Sequence, residues 1–206
     1  MPRIISVMLV DDHMIVRSGV RRLLESAEGF EIVAEAENGE QAYELYSKLM
    51  PEVTLMDLNM PGMGGIETII RIKNRYPSAK IIVLSMYEHG PFITQAMKAG
   101  AEGYLTKSSL GDELVKAIKL VAQGRGFMSS SVIAPQTPLD ELSAKEFEIF
   151  RLIAQGKEID DIADALKLSE KTIANYQSIL KKKLSVTNSI ELVKLALQNG
   201  LIDSNQ

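Results

Sequence analysis

The chain has 206 residues, of which 46% are hydrophobic and 24% are charged, and its formal net charge is −4. This composition is typical of a soluble globular protein and excludes disordered, collagen-like and coiled-coil chains; because no apolar stretch approaches the about 18 residues of a membrane span, we expect a cytoplasmic protein with no membrane partner. The absence of cysteine, with His13 and His89 as the only histidines, excludes disulfides, thiolate nucleophiles and zinc sites built from cysteine or from three histidines.

The first 124 residues alternate between short apolar runs and segments with helical spacing. The apolar runs, which predict β-strands, are residues 4–10, 30–36, 53–56, 81–84 and 103–105. Between them, apolar residues recur at helical spacing from Val16, Ala42, Phe92 and Leu114 onward. Because this alternation is typical of a parallel sheet covered by helices, the sequence predicts an α/β fold with a doubly wound, five-stranded parallel sheet.

The second apolar run indicates the order of the strands. In residues 30–36, Glu31 and Glu35 alternate with apolar residues, which favours a strand at the edge of the sheet. An early strand at the edge fits the 2-1-3-4-5 order of the flavodoxin-like fold.

The segment from Gly124 to Pro138 interrupts the alternating pattern with glycines, serines and prolines, which predicts a linker. We therefore expect a first domain over residues 1–124, a linker over 125–139 and an all-α, four-helix domain over 140–206.

Helix boundaries in the second domain are marked by caps. Ser143 with Glu146 has the spacing of a capping box, Gly156 follows the first helix, Ser169 precedes the third and Gly200 follows the fourth.

The fourth helix is predicted to turn Ile190, Val193 and Leu197 inward. Its Leu192 and Leu195 would then face outward, as a surface for dimerisation.

Acidic residues stand where the predicted strands end. Asp11 and Asp12 follow the first strand and Asp57 ends the third, so the 2-1-3-4-5 order brings the three carboxylates together. Their mutual repulsion favours a bound cation, and Mg²⁺ suits such oxygen ligands.

Ser85 and Lys107 follow the fourth and fifth strands at the same edge. A carboxylate, a cation, a lysine and a hydroxyl together make a site that can accept a phosphoryl group as an aspartyl phosphate. Taken singly, these residues also fit structural roles. Asp11 and Asp12 fit a helix cap, Asp57 fits a turn, and Lys107 fits a solvated surface lysine.

Four motifs resemble the receiver domain of two-component response regulators: the Asp11-Asp12 pair, residues 56–62, the Leu84-Ser85 pair and residues 100–107. The resemblance implies that a partner histidine kinase phosphorylates Asp57. It also implies a role for each of the other matched positions: Asp11, Asp12, Asp57 and the carbonyl of Asn59 hold Mg²⁺, Ser85 and Lys107 contact the phosphoryl group, and Tyr104 turns inward in the switch. Without the resemblance, the sequence favours a structural role for Tyr104, as a tyrosine at the edge of the core.

Residues 159–184 have the pattern of a helix–turn–helix. Burial of Ile173, Leu180 and Leu184 leaves a polar face on the second helix that can contact DNA. That face carries Lys171, Ala174, Asn175, Ser178, Lys181 and Lys182. Because the domain is acidic overall, its charge does not exclude a second interpretation. In that interpretation the domain is a helical bundle whose lysine run, Lys181-Lys182-Lys183, is simply solvated.

Residues 142–146, 153–156 and 168–173 resemble the LuxR-type DNA-binding domain, and the two resemblances together give the NarL/FixJ class of response regulators, with most likeness to the GacA/UvrY branch. The resemblance implies binding to double-stranded promoter DNA and a homodimer after phosphorylation. The DNA-binding positions are then Lys171, Thr172, Ala174, Asn175, Tyr176, Ser178, Lys181 and Lys182. Ala174 and Tyr176 depart from the basic residue and the histidine that are frequent in this family, and each departure removes a phosphate contact.

We therefore predict a transcription regulator controlled by phosphorylation, which catalyses only its own phosphoryl acceptance and autodephosphorylation. The alternative is a phosphorylation-controlled switch for protein interactions with weak or no DNA binding. A phosphatase or phosphotransferase for small molecules is disfavoured because no general acid or base is evident near Asp57.

Overall fold

The computed structural model describes residues 3–88, 90–132, 137–199 and 201–202. Part of the predicted linker, residues 133–136, and the predicted helix end at Gly200 lie outside the described residues. The chain forms two compact units, the first made of Met1–Glu88 with Ala96–Ile133 and the second of His89–Gln95 with Ala134–Gln206.

The first unit is built on a parallel sheet. Its strands are β1 (Ile5–Val10), β2 (Phe30–Ala36), β3 (Val53–Asp57), β4 (Ile81–Ser85), β5 (Gly103–Thr106) and β6 (Phe127–Met128). The order β2-β1-β3-β4-β5-β6 confirms the predicted order of the first five strands and places β2 at one edge.

The sixth strand is a correction to the predicted five-stranded sheet. β6 consists of two residues within the predicted linker and pairs in parallel with Gly103 and Tyr104 of β5. The amide of Ser129 donates to the carbonyl of Tyr104 at 2.9 Å and continues this pairing.

Helices cover both faces of the sheet. They are α1 (Met14–Glu25), α2 (Gly39–Leu49), α3 (Gly65–Arg75) and α5 (Leu110–Ala122). Helix α4 (Pro91–Ala99) is divided between the units, with residues 91–95 in the second. Val7 and Leu9 of β1 pack in one core with residues of α1 and α5, whereas Met8 and Val10 point to the opposite face and are equally buried. Alternate side chains of a strand point to opposite faces, so burial of both sets requires a layer on each side.

Helix α3 was not predicted from the sequence. Its N-cap is Gly64 and its first residue is Gly65, and glycine weakens a helix. It also follows a Pro61-Gly62 pair that indicates a turn.

The glycine at position 65 is required by close backbone packing. A Cβ atom there would overlap the carbonyl oxygen of Asp57 and lie 2.8 Å from Leu58 Cα. We expect Gly65→Ala to lower the free energy of unfolding by about 3 kcal/mol, the upper range for overpacking, because backbone atoms cannot move aside. Urea denaturation followed by circular dichroism measures this change.

Gly19→Ala is the matched control for this substitution. Gly19 lies inside α1, and a methyl carbon added to it would meet no other atom within 4 Å, so alanine should stabilise the protein by about 0.5–1 kcal/mol. Equal stabilities of the two variants would contradict the packing argument.

The second unit contains α6 (Ala144–Ala154), α7 (Ile159–Leu166), α8 (Glu170–Lys183) and α9 (Ser189–Gln198). The predicted caps at Ser143 and Ser169 are confirmed. Ser143 and Glu146 form a reciprocal capping box, and the Ser169 hydroxyl accepts from the amide of Thr172 at 3.1 Å. Lys167, in a left-handed conformation, ends α7 and turns the chain into α8, so α7 and α8 form the predicted helix–turn–helix.

The predicted inward face of α9 is wrong. Leu192 is completely buried, whereas Ile190 is 80% exposed and Leu197 39% exposed. Apolar residues surround most of this helix, so the sequence allows several inward faces, and packing of α9 against α6 selects the one with Leu192 and Ala196. Of the predicted dimerisation residues, Leu192 is unavailable and Leu195 is half-buried.

In the part of the chain that the structure describes, every helix is too short or too polar to cross a bilayer.

Candidate functional site

Four strands end at one edge of the sheet and carry polar residues there. Asp11 directly follows β1, Asp57 is the last residue of β3, Ser85 is the last residue of β4, and Lys107 directly follows β5. Because the strands are parallel and neighbouring, these side chains converge at their carboxyl ends, where ligands bind in such sheets.

The Lys107 ammonium joins two of the carboxylates. Its Nζ lies 3.0 Å from Asp57 Oδ2 and 2.7 Å from Asp11 Oδ2. The three side chains are nearly withdrawn from water, with 7% exposure for Lys107 and less for both aspartates. Burial lowers the pKa of Lys107, but the charges of Asp57 and Asp11 outweigh it, so the pKa lies above its ordinary value and the lysine is a cation.

Asp57 has an unusual acidity for a carboxyl group. Burial raises its pKa to about 6, and the nearby charge of Asp11 adds to this rise, although Lys107 opposes it. The pocket holds the carboxyl groups of Asp11, Asp12 and Asp57 but one ammonium, so its negative charge is not fully neutralised.

The remaining charge fits a divalent cation. Asp11, Asp12, His13 and Asp57 each offer a ligand atom, and these atoms lie within 4.8 Å of one another. Carboxylate oxygens are the ligands that Mg²⁺ prefers. Asn59 lies at the same pocket, where its main-chain N–H donates to Asp57 Oδ1 at 3.4 Å.

His13 was not predicted as a member of this group. Its Nδ1 lies 2.8 Å from Asp12 Oδ1 and 3.1 Å from Asp11 Oδ1. Its position directly after the two aspartates was the available signal, since it places the ring at the same strand end.

Ser85 and Tyr104 are linked through the segment that follows β4. The Ser85 hydroxyl accepts from the amide of Tyr87 at 3.1 Å, and the Tyr104 hydroxyl donates to the carbonyl of Tyr87 at 3.0 Å. Tyr104 is fully buried, so its ring is turned inward. Burial raises the pKa of Tyr104 despite the opposing effect of the Ser85 hydroxyl, so the phenol is neutral.

Arg17 is a second residue near the pocket that was not predicted from the sequence. It is buried on α1, and one of its nitrogens donates to the carbonyl of Asp11 at 2.6 Å. The signal lay in its spacing, because position 17 shares a helix face with the buried residues Val20 and Leu24.

The predicted DNA-contacting residues lie on α8 in the second unit. Lys171, Ala174, Asn175, Ser178 and Lys182 are exposed, and Thr172, Tyr176 and Lys181 are half-buried. The lysine run divides: Lys183 Nζ lies 2.7 Å from Glu146 Oε2, whereas Lys181 and Lys182 form no ion pair with any residue that the structure describes.

Both units match known families. Residues 7–119 match the family described as "Response regulator receiver domain", and residues 140–196 match "Bacterial regulatory proteins, luxR family". The chain is 38% identical to the response regulator GacA of Pseudomonas aeruginosa over 97% of this chain and 99% of GacA. It is 36% identical to the response regulator UvrY of Escherichia coli K12 over 97% of each chain. The chain belongs to the response regulators.

A solved structure supports the same assignment for this response regulator. RcsB from Salmonella enterica serovar Typhimurium, bound to promoter rprA in the presence of the phosphomimetic BeF3-, has a TM-score of 0.72 and 31% identity. That comparison covers 94% of this chain and 98% of the RcsB chain. The family assignment and the predicted fold class are thus confirmed: the response regulator joins a receiver domain to a LuxR-type DNA-binding domain.

Proposed function

We propose that phosphorylation of Asp57 by a histidine kinase controls the binding of this response regulator to promoter DNA. The observation that carries the proposal is the pair of contacts from Lys107 to Asp57 and Asp11, because it fixes an acceptor carboxylate beside a buried cation. We retain the sequence-based division into a receiver over residues 1–124, a linker over 125–139 and a DNA-binding domain over 140–206, with β6 as the part of the linker that joins the receiver sheet.

The chemistry at Asp57 is phosphoryl transfer between a phosphohistidine and a carboxylate. An oxygen of the ionised Asp57 forms a bond to phosphorus while the bond from phosphorus to the histidine nitrogen breaks, and the imidazole keeps that electron pair. Lys107 and the Ser85 hydroxyl are placed at the same strand ends to contact the phosphoryl oxygens.

The pocket's carboxylates serve to hold Mg²⁺, with Asp11, Asp12 and Asp57 as ligands and the carbonyl of Asn59 as the ligand implied by the family. When bound, the ion offsets the negative charge that the phosphoryl group brings. Hydrolysis of the aspartyl phosphate by water would return the carboxylate and release phosphate, so catalysis is limited to the protein's own phosphorylation and autodephosphorylation.

Ser85 and Tyr104 are suited to report phosphorylation. Both are hydrogen-bonded to Tyr87, so a contact between the Ser85 hydroxyl and a phosphoryl oxygen shifts the segment on which the Tyr104 hydroxyl depends. Two arrangements of this segment would form the switch.

DNA binding is assigned to α8. Asn175 and Ser178 are exposed and are the residues that we assign to base edges, and we assign Lys171, Lys181 and Lys182 to phosphates. The RcsB structure, which contains promoter DNA and a phosphomimetic, supports both parts of the proposal.

We propose a homodimer for the phosphorylated state. The outward residues Ile190 and Leu197 of α9 provide an exposed apolar surface for it, in place of the predicted Leu192. A dimer on two half-sites doubles the number of phosphate contacts.

The test compares DNA titrations with and without acetyl phosphate and Mg²⁺. We expect phosphorylation to increase affinity about tenfold for genomic fragments identified by footprinting, in the usual range of allosteric coupling. Fluorescence anisotropy measures the affinity, and intact-protein mass spectrometry measures the phosphoryl group. Asp57→Ala should remove both changes.

Identical DNA titrations for the phosphorylated protein and Asp57→Ala would contradict the switch. The alternative, a protein-interaction switch without DNA binding, is favoured by the exposed Ala174 where relatives often carry a basic residue. It predicts that phosphorylation is normal and that neither protein binds the fragments specifically.

A further inference from the structure

The side chain of Arg17 connects helix α1 to the end of strand β1. It is buried, with only 9% of the side chain exposed. Its guanidinium donates to three acceptors: the Asp11 carbonyl at 2.6 Å, Glu35 Oε2 at 3.3 Å and Glu37 Oε1 at 2.5 Å. The two glutamates supply the charge partners that a buried cation needs, and the carbonyl is an additional acceptor.

The contact with the Asp11 carbonyl bears directly on the cation pocket. That carbonyl belongs to the planar peptide unit that joins Asp11 to Asp12, so its direction sets how the chain leaves β1. The amide of Asp11 is held as well, since it donates to the carbonyl of Ala36 at 3.1 Å. Both main-chain polar groups of Asp11 are therefore fixed, one by the last residue of β2 and one by Arg17.

An arginine suits this position because its planar fork presents several N–H groups in fixed directions. The three acceptors of Arg17 are reached by three different nitrogens, Nε, Nη1 and Nη2. A lysine would keep the positive charge, but its three N–H groups all start from one nitrogen, so it cannot replace three separate donor positions. The position therefore requires a side chain that directs an N–H group at the Asp11 carbonyl, in addition to a positive charge.

We propose that Arg17 is a positioning residue of the receiver, which holds the peptide between Asp11 and Asp12 so that both carboxylates point into the cation pocket. This inference rests on the proposed function, because it assigns a purpose to the position of those carboxylates. Within the described part of the chain, the hydrogen bonds of the Arg17 side chain go to Asp11, Glu35 and Glu37, so this side chain acts on the pocket through Asp11.

The test is the affinity of the full-length protein for Mg²⁺, measured by isothermal titration calorimetry. We expect Arg17→Lys to raise the dissociation constant about tenfold, as is typical when a group that orients a metal ligand is lost. The Mg²⁺ concentration that gives half the maximal rate of phosphorylation by acetyl phosphate should rise by the same factor, while the maximal rate at saturating Mg²⁺ stays near that of the wild type. A purely structural role would change stability without moving this concentration.

Two control variants separate positioning from stability and charge. Val20→Ala weakens the packing of the same helix and removes none of the three acceptors of the Arg17 side chain, and Glu37→Gln removes a charge partner but leaves the carbonyl contact. Both should bind Mg²⁺ within about twofold of the wild type, well below the effect expected for a lost orienting contact. Circular dichroism at the assay temperature establishes that Arg17→Lys is folded; Arg17→Gln, which also retains N–H donors, is measured in parallel and is expected to show the same loss.

The outcomes distinguish this inference from the proposed function. If the wild type binds Mg²⁺, Asp12→Ala does not, and folded Arg17→Lys binds as the wild type does, the positioning role is wrong and the proposed function stands. If the wild type itself fails to bind Mg²⁺, the proposed cation site is wrong. If Val20→Ala weakens binding as much as Arg17→Lys, the effect belongs to stability and the positioning role is again wrong.

Discussion

Asp57→Asn is expected to raise the free energy of unfolding at about pH 8 by about 3 kcal/mol, even though it removes the phosphoacceptor. The physical reason is the cost of holding the ionised Asp57 in a buried pocket beside Asp11, which raises its pKa to about 6. Asparagine has a similar shape and no charge to bury. Burial of Asp57 in the pocket therefore lowers the free energy of unfolding while it keeps a reactive carboxylate in place.

The sign of the effect follows from proton binding. Between its ordinary pKa of 3.8 and the folded value of about 6, the native protein holds a proton on Asp57 that the unfolded chain has released. This contribution to stability is complete below the unfolded pKa and is lost as the pH rises through the folded pKa. The difference between wild type and Asp57→Asn should thus be small at about pH 4 and grow until about pH 7.

Urea unfolding over this pH range, with EDTA present and with separate transitions fitted for the two units, measures the effect. Asp12→Asn is the matched control, because Asp12 belongs to the same pocket but is exposed to water. Because the Asp12 carboxylate is in contact with water, this substitution should change the free energy of unfolding at about pH 8 far less than Asp57→Asn does. Added Mg²⁺ should narrow the difference between wild type and Asp57→Asn, since a cation that binds the native wild type stabilises it. A gain that is constant with pH would contradict the assignment to Asp57.

The parts of the fold that could be predicted are those with strong local signals. Strands β1 and β4 are almost wholly apolar, which predicts their burial, and the alternation in β2 predicts its position at the edge of the sheet. Strand β6 has two residues, too few for any period, and exists because the free edge of β5 offers hydrogen-bonding partners. Packing likewise decides the inward face of α9, where the sequence allows several.

The candidate site was predictable to the extent that strand order determines it. Once β1, β3, β4 and β5 are neighbours, Asp11, Asp57, Ser85 and Lys107 must meet at one edge. The contributions of His13 and Arg17 depend on where side chains point after the turn that follows β1, and the strand pattern does not contain that information. Arg17 was detectable only as a charged residue on the buried face of α1.

The lysine run of α8 gives a second prediction of large effect, because two of its members differ from the third in their partners. Lys183 is paired with Glu146, whereas Lys182 is exposed and Lys181 half-buried on the face assigned to DNA. Replacing both Lys181 and Lys182 with glutamine is expected to lower affinity for a specific fragment about tenfold or more at physiological salt. The dependence on salt should fall as well, with the slope of log K against log salt reduced by about two.

Lys183→Gln is the control, since it removes one positive charge from the same run of lysines. Because the Lys183 ammonium is engaged with Glu146, the slope should stay within about half a unit of the wild type. Fluorescence anisotropy at several salt concentrations measures both quantities, on protein phosphorylated at Asp57 to the same extent. If Lys183→Gln lowers the slope by about half as much as the double variant does, net charge, and not the face of α8, governs binding. Unchanged binding by the double variant would remove α8 from the DNA interface and favour the protein-interaction switch. The reason is that the domain is acidic overall and its sequence contains no other run of lysines that could contact the phosphates.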